Sequence, residues 1–273
     1  MPPIPPLFKL AIEPKGSITC TQPSPRVYLL TFDSAPDNRL TPDFCAAFLL
    51  ALDIVDRRFD KGVLVTTSAI PKFYSNGLDF ESAFKSKSFF PESLYPLWKR
   101  LLTYPMPTIA LINGHAFAAG IMTAMMHDYR FMNPHRGFLC LNELEFGASL
   151  KAPMSSIFRQ KLPSPNTYRT MVLEAKRFNA LEALQEGIVD GLGMVPEGLK
   201  FIQEMGLVDK AKSGVYGQLK AEMWRETVAY LDDYVGSEKL IEERMRGEER
   251  LQERCERRVA EWEKSKDQKG AKL

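Results

Sequence analysis

Three stretches of this sequence carry residue types that chemistry at a carbonyl group needs. The first, Lys72-Phe73-Tyr74-Ser75-Asn76-Gly77-Leu78-Asp79-Phe80, follows a β-branched run, and its Gly77 can take a backbone conformation closed to other residues. The second, Asn113-Gly114-His115-Ala116-Phe117-Ala118-Ala119-Gly120, is a turn leading into a helix through three residues too small to block a ligand. A helix start presents backbone N–H groups without internal partners, so small side chains there let an anionic oxygen reach them. The third, from Phe138 to Gly147, reads FLCLNELEFG, an apolar run interrupted by Glu143 and Glu145. Apolar surroundings raise a carboxyl pKa toward neutrality. Singly, each stretch has a plain structural explanation: a turn, a close helix–strand packing, a solvated charge at a strand end. Their combination is what points to chemistry.

Other reactive residues are less suggestive. His115, in a turn beside the second stretch, reads as a hydrogen-bonded scaffold residue, and His127 and His135 have no carboxylate or cysteine partner at ligand spacing, so no metal is expected. Cys20, Cys45, Cys140 and Cys255 are far apart and read as reduced thiols, not a disulfide framework. Lys plus Arg number 36 against 34 Asp plus Glu in 273 residues, a net charge of +2 that gives no general reason to invoke nucleic acid or an anionic membrane. The opening MPPIPPLFKL lacks the basic and long apolar regions of a secretory signal, so a protein kept inside the cell is expected. The apolar run from Thr108 to Met126 approaches the length of a membrane span, yet Asn113-Gly114 is a turn signal that splits it into a buried strand and a short helix, and no span is expected.

The elements that must position these stretches belong to an α/β class. Strands are expected at Phe8–Ile12, Val27–Phe32, Gly62–Thr67, Thr108–Ile112, Tyr129–Met132 and Phe138–Leu141. Helices are expected at Pro42–Arg58, where Phe44, Phe48, Leu52 and Val55 recur at helical spacing behind a Thr41 N-cap, and at Leu94–Leu102 and Ala118–Met126. Beyond about Val195 the pattern turns helical, broken by Gly206, Gly214, Gly217 and Gly236, which divides the chain into a core of residues 1–195 and a helical region of residues 196–273. Its last helix, about Lys239 to Lys264, carries Ile241, Met245, Leu251, Cys255, Val259 and Trp262 along one side, a stripe expected to be covered by its own domain or by a neighbouring subunit.

In order and spacing the three stretches resemble the enoyl-CoA hydratase/isomerase, or crotonase, family over roughly Pro25 to Leu192, and KRFNALEALQEGIVDGL resembles the passage that closes that family's spiral core. The resemblance implies a spiral of repeated β-β-α units with a C-terminal region that builds trimers or hexamers, an acyl-CoA thioester substrate, and no cofactor, since CoA is part of the substrate. It implies that the N–H groups of Leu78 and Ala119 hold the thioester oxygen. It places the first of the two hydratase glutamates at Met122, which can neither activate water nor carry a proton, and the second at Glu143. LNELEFG is similar to the isomerase branch, which moves a 3-enoyl-CoA double bond to the 2-position with one carboxylate. Glu143 is therefore the expected base, its pKa raised by Phe138, Leu141 and Phe146, with Glu145 as the alternative if the segment is extended. For the CoA moiety the resemblance points to Arg39 as a phosphate-binding cation, and to Lys72, Phe73 and Ser75, with Asp79 beside them, at the adenine end. Phe80, Phe84, Phe89, Phe90 and Trp98 are either core or pocket wall. The last three residues, Ala271, Lys272 and Leu273, resemble a peroxisomal address read by an import receptor. Two other readings remain open: a hydratase or other lyase or hydrolase of the family, with an acid such as Glu81 replacing the one absent at Met122, and a noncatalytic CoA-binding scaffold.

Overall fold

The computed structural model describes residues 4–79, 83, 85, 86 and 88–270. Phe80, Glu81, Phe84, Ala271, Lys272 and Leu273 lie outside the described residues. The chain forms two compact units, one up to Asp232 and one from Asp233.

The first unit is α/β, as expected. Its larger sheet has seven strands in the order β1-β2-β3-β4-β6-β8-β10: β1 (Phe8–Ala11), β2 (Ser17–Ser24), β3 (Val27–Asp33), β4 (Val63–Ser68), β6 (Thr108–Ile112), β8 (Tyr129–Met132) and β10 (Gly191–Leu192). The first three pair antiparallel and the rest parallel. Every residue of β4 (VLVTTS) and β6 (TIALI) is buried, the continuous apolar pattern of a parallel strand covered on both faces. On one face Val27, Val63, Val65, Ile109, Leu111 and Phe131 pack against Ile202 and Leu207. On the other, Phe32 meets Phe44 at 5.2 Å and Phe48 at 4.7 Å between ring centroids. Those two rings stand on α1 (Pro42–Arg58), whose N-cap Thr41 accepts a hydrogen bond from the Phe44 N–H at 3.2 Å.

A second sheet of three short parallel strands was not foreseen: β5 (Phe73–Ser75), β7 (His115–Phe117) and β9 (Leu139–Cys140), in the order β5-β7-β9. Each is too short to show a period of two. The strand expected at Phe138–Leu141 shrinks to β9. Strand β2 was also unmarked, because SITCTQPS is polar and ends on Pro23, and the register slips between Thr21 and Ser24, where a bulge accommodates the proline.

The remaining helices of this unit are α2 (Tyr95–Leu102), preceded by one wide turn at Phe89–Leu94, α3 (Ala119–Met125), α4 (Ala152–Lys161), α5 (Pro165–Leu173), α6 (Ala180–Gln185), α7 (Val195–Glu204), α8 (Tyr216–Met223) and α9 (Arg225–Asp232). The apolar stretch Thr108–Met126 is thus β6, β7 and α3, and no helix among the described residues is long and apolar enough to cross a membrane. Phe89, Phe90 and Trp98 are buried core.

The second unit is the helix α10 (Tyr234–Gly270) of 37 residues. It starts before the expected Lys239, since Asp233 Oδ1 accepts the Gly236 N–H at 2.8 Å and makes that glycine part of the first turn, not a break. Met245, Leu251, Val259 and Trp262 on its stripe are exposed on the single chain.

Candidate active site

The second sheet explains why three distant stretches meet. Its strands run parallel, so the segments leaving their C-terminal ends emerge on the same side: Asn76-Gly77-Leu78 after β5, Ala118-Ala119 after β7, and Leu141-Asn142-Glu143 after β9. Leu78, Ala118, Ala119, Met122, Asn142 and Glu143 line a single cavity of about 400 Å³. The first two segments touch. A methyl group on Gly77 would stand 3.0 Å from the Phe117 carbonyl oxygen and 3.2 Å from the Ala119 nitrogen, and Gly77 itself has φ +84°. Gly120 is equally constrained: a methyl there would lie 2.3 Å from the Ser75 carbonyl oxygen. A side chain at Gly120 would collide with backbone, and one at Gly77 would be strained by its φ and tightly packed, which accounts for both glycines of the motifs.

Peptide planarity then fixes two donors. The Gly77 carbonyl accepts the Leu40 N–H at 2.8 Å, so the Leu78 N–H of the same planar unit points to the opposite side, away from Leu40. Ala119 opens α3, and the Ala118 carbonyl is taken by the Met122 N–H at 3.2 Å, which turns the Ala119 N–H outward from the helix start. Ala118 holds φ +48°, a conformation that this tight strand-to-helix turn demands of a non-glycine residue.

Glu143 is 9% exposed, and its Oε2 is buried with no hydrogen-bond partner among the described residues. Burial raises its pKa to about 7, while a hydrogen bond from its own backbone N–H pulls the other way. The segment is not an extended strand end: Glu143–Phe146 is a 3-10 turn closed by Gly147 at φ +71°. In a turn of that pitch Glu145 cannot share a face with Glu143, and it is exposed and ion-paired with Arg177 at 3.2 Å. Of the apolar neighbours expected around Glu143, Phe146 lines the cavity and Leu141 is buried, but Phe138 is 40% exposed and stacks on His115 at 5.7 Å. His115 is a scaffold residue whose Nδ1 accepts the Phe138 N–H at 3.1 Å. Met122, one turn into α3, is buried in the cavity wall.

The other expected residues divide. Arg39 lines the cavity, but its Nε donates to Asp37 Oδ2 at 3.1 Å and its Nη1 to the Leu78 carbonyl at 2.8 Å. Ser75 is buried, its hydroxyl donating to the Asn38 carbonyl at 2.8 Å and accepting the Gly77 N–H at 3.2 Å. Lys72 is exposed with its ammonium 5.4 Å from the Phe73 ring, and neither residue lines the cavity, nor does Asp79. Asn142, Lys151 and Met154 also line the wall, and no motif marked them as site residues. Asn142 Oδ1 is buried without a partner among the described residues.

The far end of α3 is built from charge. The His127 carbonyl accepts Lys161 Nζ at 2.7 Å and Arg130 Nη1 at 3.2 Å, cations that complement the negative end of the helix. Asp128 accepts the Thr108 N–H at 2.9 Å and pairs with Lys220 at 2.9 Å. The His127 ring is wholly buried between Thr66 Oγ1 at 2.9 Å and the Thr123 carbonyl at 3.1 Å, and burial drives its pKa down to about 3.

The sequence profile described as enoyl-CoA hydratase/isomerase matches residues 24–265. The chain belongs to that family. It is 31% identical over 220 residues to enoyl-CoA delta isomerase 2, peroxisomal, of Arabidopsis thaliana, a match covering 75% of this chain and 91% of the relative. Against enoyl-CoA delta isomerase 1, peroxisomal, of the same plant it is 33% identical, covering 75% and 89%. The mitochondrial enoyl-CoA delta isomerase 1 of Homo sapiens is 30% identical, covering 63% of this chain and 57% of the relative. Among solved structures, an enoyl-CoA hydratase from Mycobacterium marinum superposes with a TM-score of 0.68 at 24% identity, covering 79% of this chain and 96% of the other. An apo enoyl-CoA isomerase of Mtb superposes with a TM-score of 0.66 at 23% identity, with the same coverage. At these identities the structural likeness establishes the crotonase fold read from the motifs.

Proposed function

We propose that this family member is an acyl-CoA isomerase that moves the double bond of a 3-enoyl-CoA to the 2-position with Glu143 as its single base. One observation carries the reading: among the described residues lining the cavity, Glu143 is the one carboxylate, desolvated and with an unpartnered oxygen, while Met122 stands where water-activating chemistry would need a second. The family resemblance and the isomerase names of the Arabidopsis relatives support it.

The proposed steps are these. Glu143 takes a proton from C2 of the thioester, and the C2–H electron pair passes into the conjugated dienolate. The negative charge gathers on the thioester oxygen, held by the Leu78 and Ala119 N–H groups; one such donor is worth about 3 to 4 kcal/mol in the transition state. The carboxylic acid then returns the proton to C4, and the double bond settles between C2 and C3. A pKa near neutrality suits both halves, because the same group must be basic enough to take the proton and acidic enough to return it. The CoA portion lies along the Lys72-Phe73 edge, with Asp79 beside it and the buried Ser75 supporting it from behind. Assembly into trimers or hexamers, and peroxisomal import through Ala271-Lys272-Leu273, belong to the same reading and rest on the family and on the relatives' names.

The test is conversion of 3-enoyl-CoA to 2-enoyl-CoA by the wild type and by Glu143→Gln, with hydration of 2-enoyl-CoA followed alongside. The variant is expected to lose on the order of a thousandfold or more in kcat, within the range for removing a positioned base. Brisk hydration by the wild type, or an undiminished variant, would refute the single-base reading.

A further inference from the structure

Arg39 lines the cavity, yet two of its guanidinium N–H groups are already committed, one to Asp37 and one to the Leu78 carbonyl. The residues around it form a closed frame. Asn76 donates through its backbone N–H to the Asp37 carbonyl at 2.9 Å and through Nδ2 to Asp37 Oδ2 at 2.7 Å. Leu40 holds the Gly77 carbonyl at 2.8 Å. Asn38, at φ +51°, closes the turn by accepting the Ser34 N–H on Oδ1 at 2.8 Å and donating from Nδ2 to Ser68 Oγ at 2.7 Å and to the Tyr74 carbonyl at 3.1 Å. Both peptide units flanking the Leu78 α-carbon are thereby fastened to the segment Asp37–Leu40: the preceding one by the Leu40 N–H, the following one by Arg39.

This fastening has a mechanical purpose. Gly77, required by the close approach of Ala119, is the residue with the most backbone freedom, and it sits directly before the donor whose direction matters. The Leu78 side chain is only partly buried. A planar guanidinium can bond Asp37 and the Leu78 carbonyl at once, because its donors are set in a rigid fork; an ammonium offers one compact charge.

Resting on the isomerase reading of the same cavity, we infer that Arg39 is a positioning residue for the Leu78 N–H and not chiefly a ligand of the CoA phosphates. Its guanidinium clamps the peptide that follows the donor, so that the hinge at Gly77 cannot swing the N–H off the thioester oxygen.

The experiment compares wild type, Arg39→Met and Arg39→Lys on two substrates carrying the same 3-enoyl chain: the CoA thioester, and the pantetheine thioester, which has no phosphate and no adenosine. Deuterium exchange at C2 is followed in parallel with isomerisation, since it reports stabilisation of the enolate whatever becomes of the double bond. Arg39→Met is expected to lower kcat and the exchange rate by roughly 10- to 100-fold, equally with both thioesters, and to leave KM within about twofold, as misaiming a preorganised donor does. Arg39→Lys, which keeps the charge and one of the two bonds, should fall between and shows that the loss does not come from failure to fold. A loss confined to the CoA thioester and expressed in KM would make Arg39 a phosphate ligand and overturn the inference. Failure of the isomerase reading looks different: the wild type would exchange C2 deuterium without moving the double bond, and the effect of Arg39→Met on that exchange would still decide its role.

Discussion

At the two ends of α3 lie two groups of buried ionisable side chains, and they differ in what surrounds their charges. At the C-terminal end Asp128 is met by Lys220 and the Thr108 N–H, Arg130 by Asp190 at 2.9 Å, and the Lys161 ammonium by the His127 carbonyl. Burial holds the Lys161 pKa well below the usual lysine range, reinforced by Arg130, and lowers that of Lys220 with Asp128 pulling the other way. At the N-terminal end burial shifts Glu143 as well, but this cavity-lining residue has no counter-charge, and its buried Oε2 has no partner among the described residues. The difference separates a structural network from a chemical one. A shifted pKa is common to both; among the described ionisable side chains of the two groups, an oxygen left without a partner belongs to Glu143.

The contrast is best broken by mutating both ends. Asp128→Ala should destabilise the protein by about 3 to 5 kcal/mol, the usual penalty for leaving a buried cation unpaired, and urea unfolding would show it. Activity per folded molecule should change little. Glu143→Gln should act in the opposite sense. The folded-state pKa of Glu143 is raised from 4.5 to about 7, so the folded chain holds a proton that the unfolded chain releases. Stability is therefore lost as pH rises through that interval, by about 3 kcal/mol in full, and the loss is complete above about pH 7. Glutamine has no such loss, so the variant should gain on the wild type between about pH 4 and about pH 8, measured by unfolding at both. A variant equally disadvantaged at both pH values would mean that Glu143 is bound into a network like the one at the other end.

A smaller effect sharpens the chemistry. Met122→Glu places a second carboxylate in the same cavity. Like charge should raise the Glu143 pKa further, slow isomerisation several-fold at neutral pH, and bring a trace of 2-enoyl-CoA hydration above the wild-type background. Hydration unchanged from wild type would show that Met122 is not what keeps water chemistry out.

Much of this contrast was legible beforehand, and the parts that were not share a cause. The N-cap at Thr41, the buried strands β4 and β6 and the split of Thr108–Met126 at Asn113-Gly114 all follow from local pattern, and the structure keeps them. The motifs holding Leu78, Ala119, Met122 and Glu143 announce themselves by residue type, and the structure gathers all four around one cavity. Of the three-stranded sheet that gathers them only β9 was foreseen, as part of the strand expected at Phe138–Leu141, because strands of two or three residues are set by neighbours distant in sequence, not by their own alternation. For the same reason nothing local distinguished Glu143 from Glu145: the 3-10 turn that separates them depends on Gly147 taking a left-handed conformation, and Arg177, the partner of Glu145, comes from another segment. The grip of Arg39 on Leu78 joins residues 39 apart in sequence and was equally invisible.

The central claim is that one desolvated carboxylate does the proton transfer, and the pH dependence of kcat/KM for 3-enoyl-CoA isomerisation tests it most directly. Because Glu143 must be ionised to take the proton, the rate should climb about tenfold per pH unit at acid pH, bend at about 7 and level off above it, with the bend absent from the residual activity of Glu143→Gln. A profile flat from about pH 5 to about pH 9, or a bend that survives in the variant, would contradict the account.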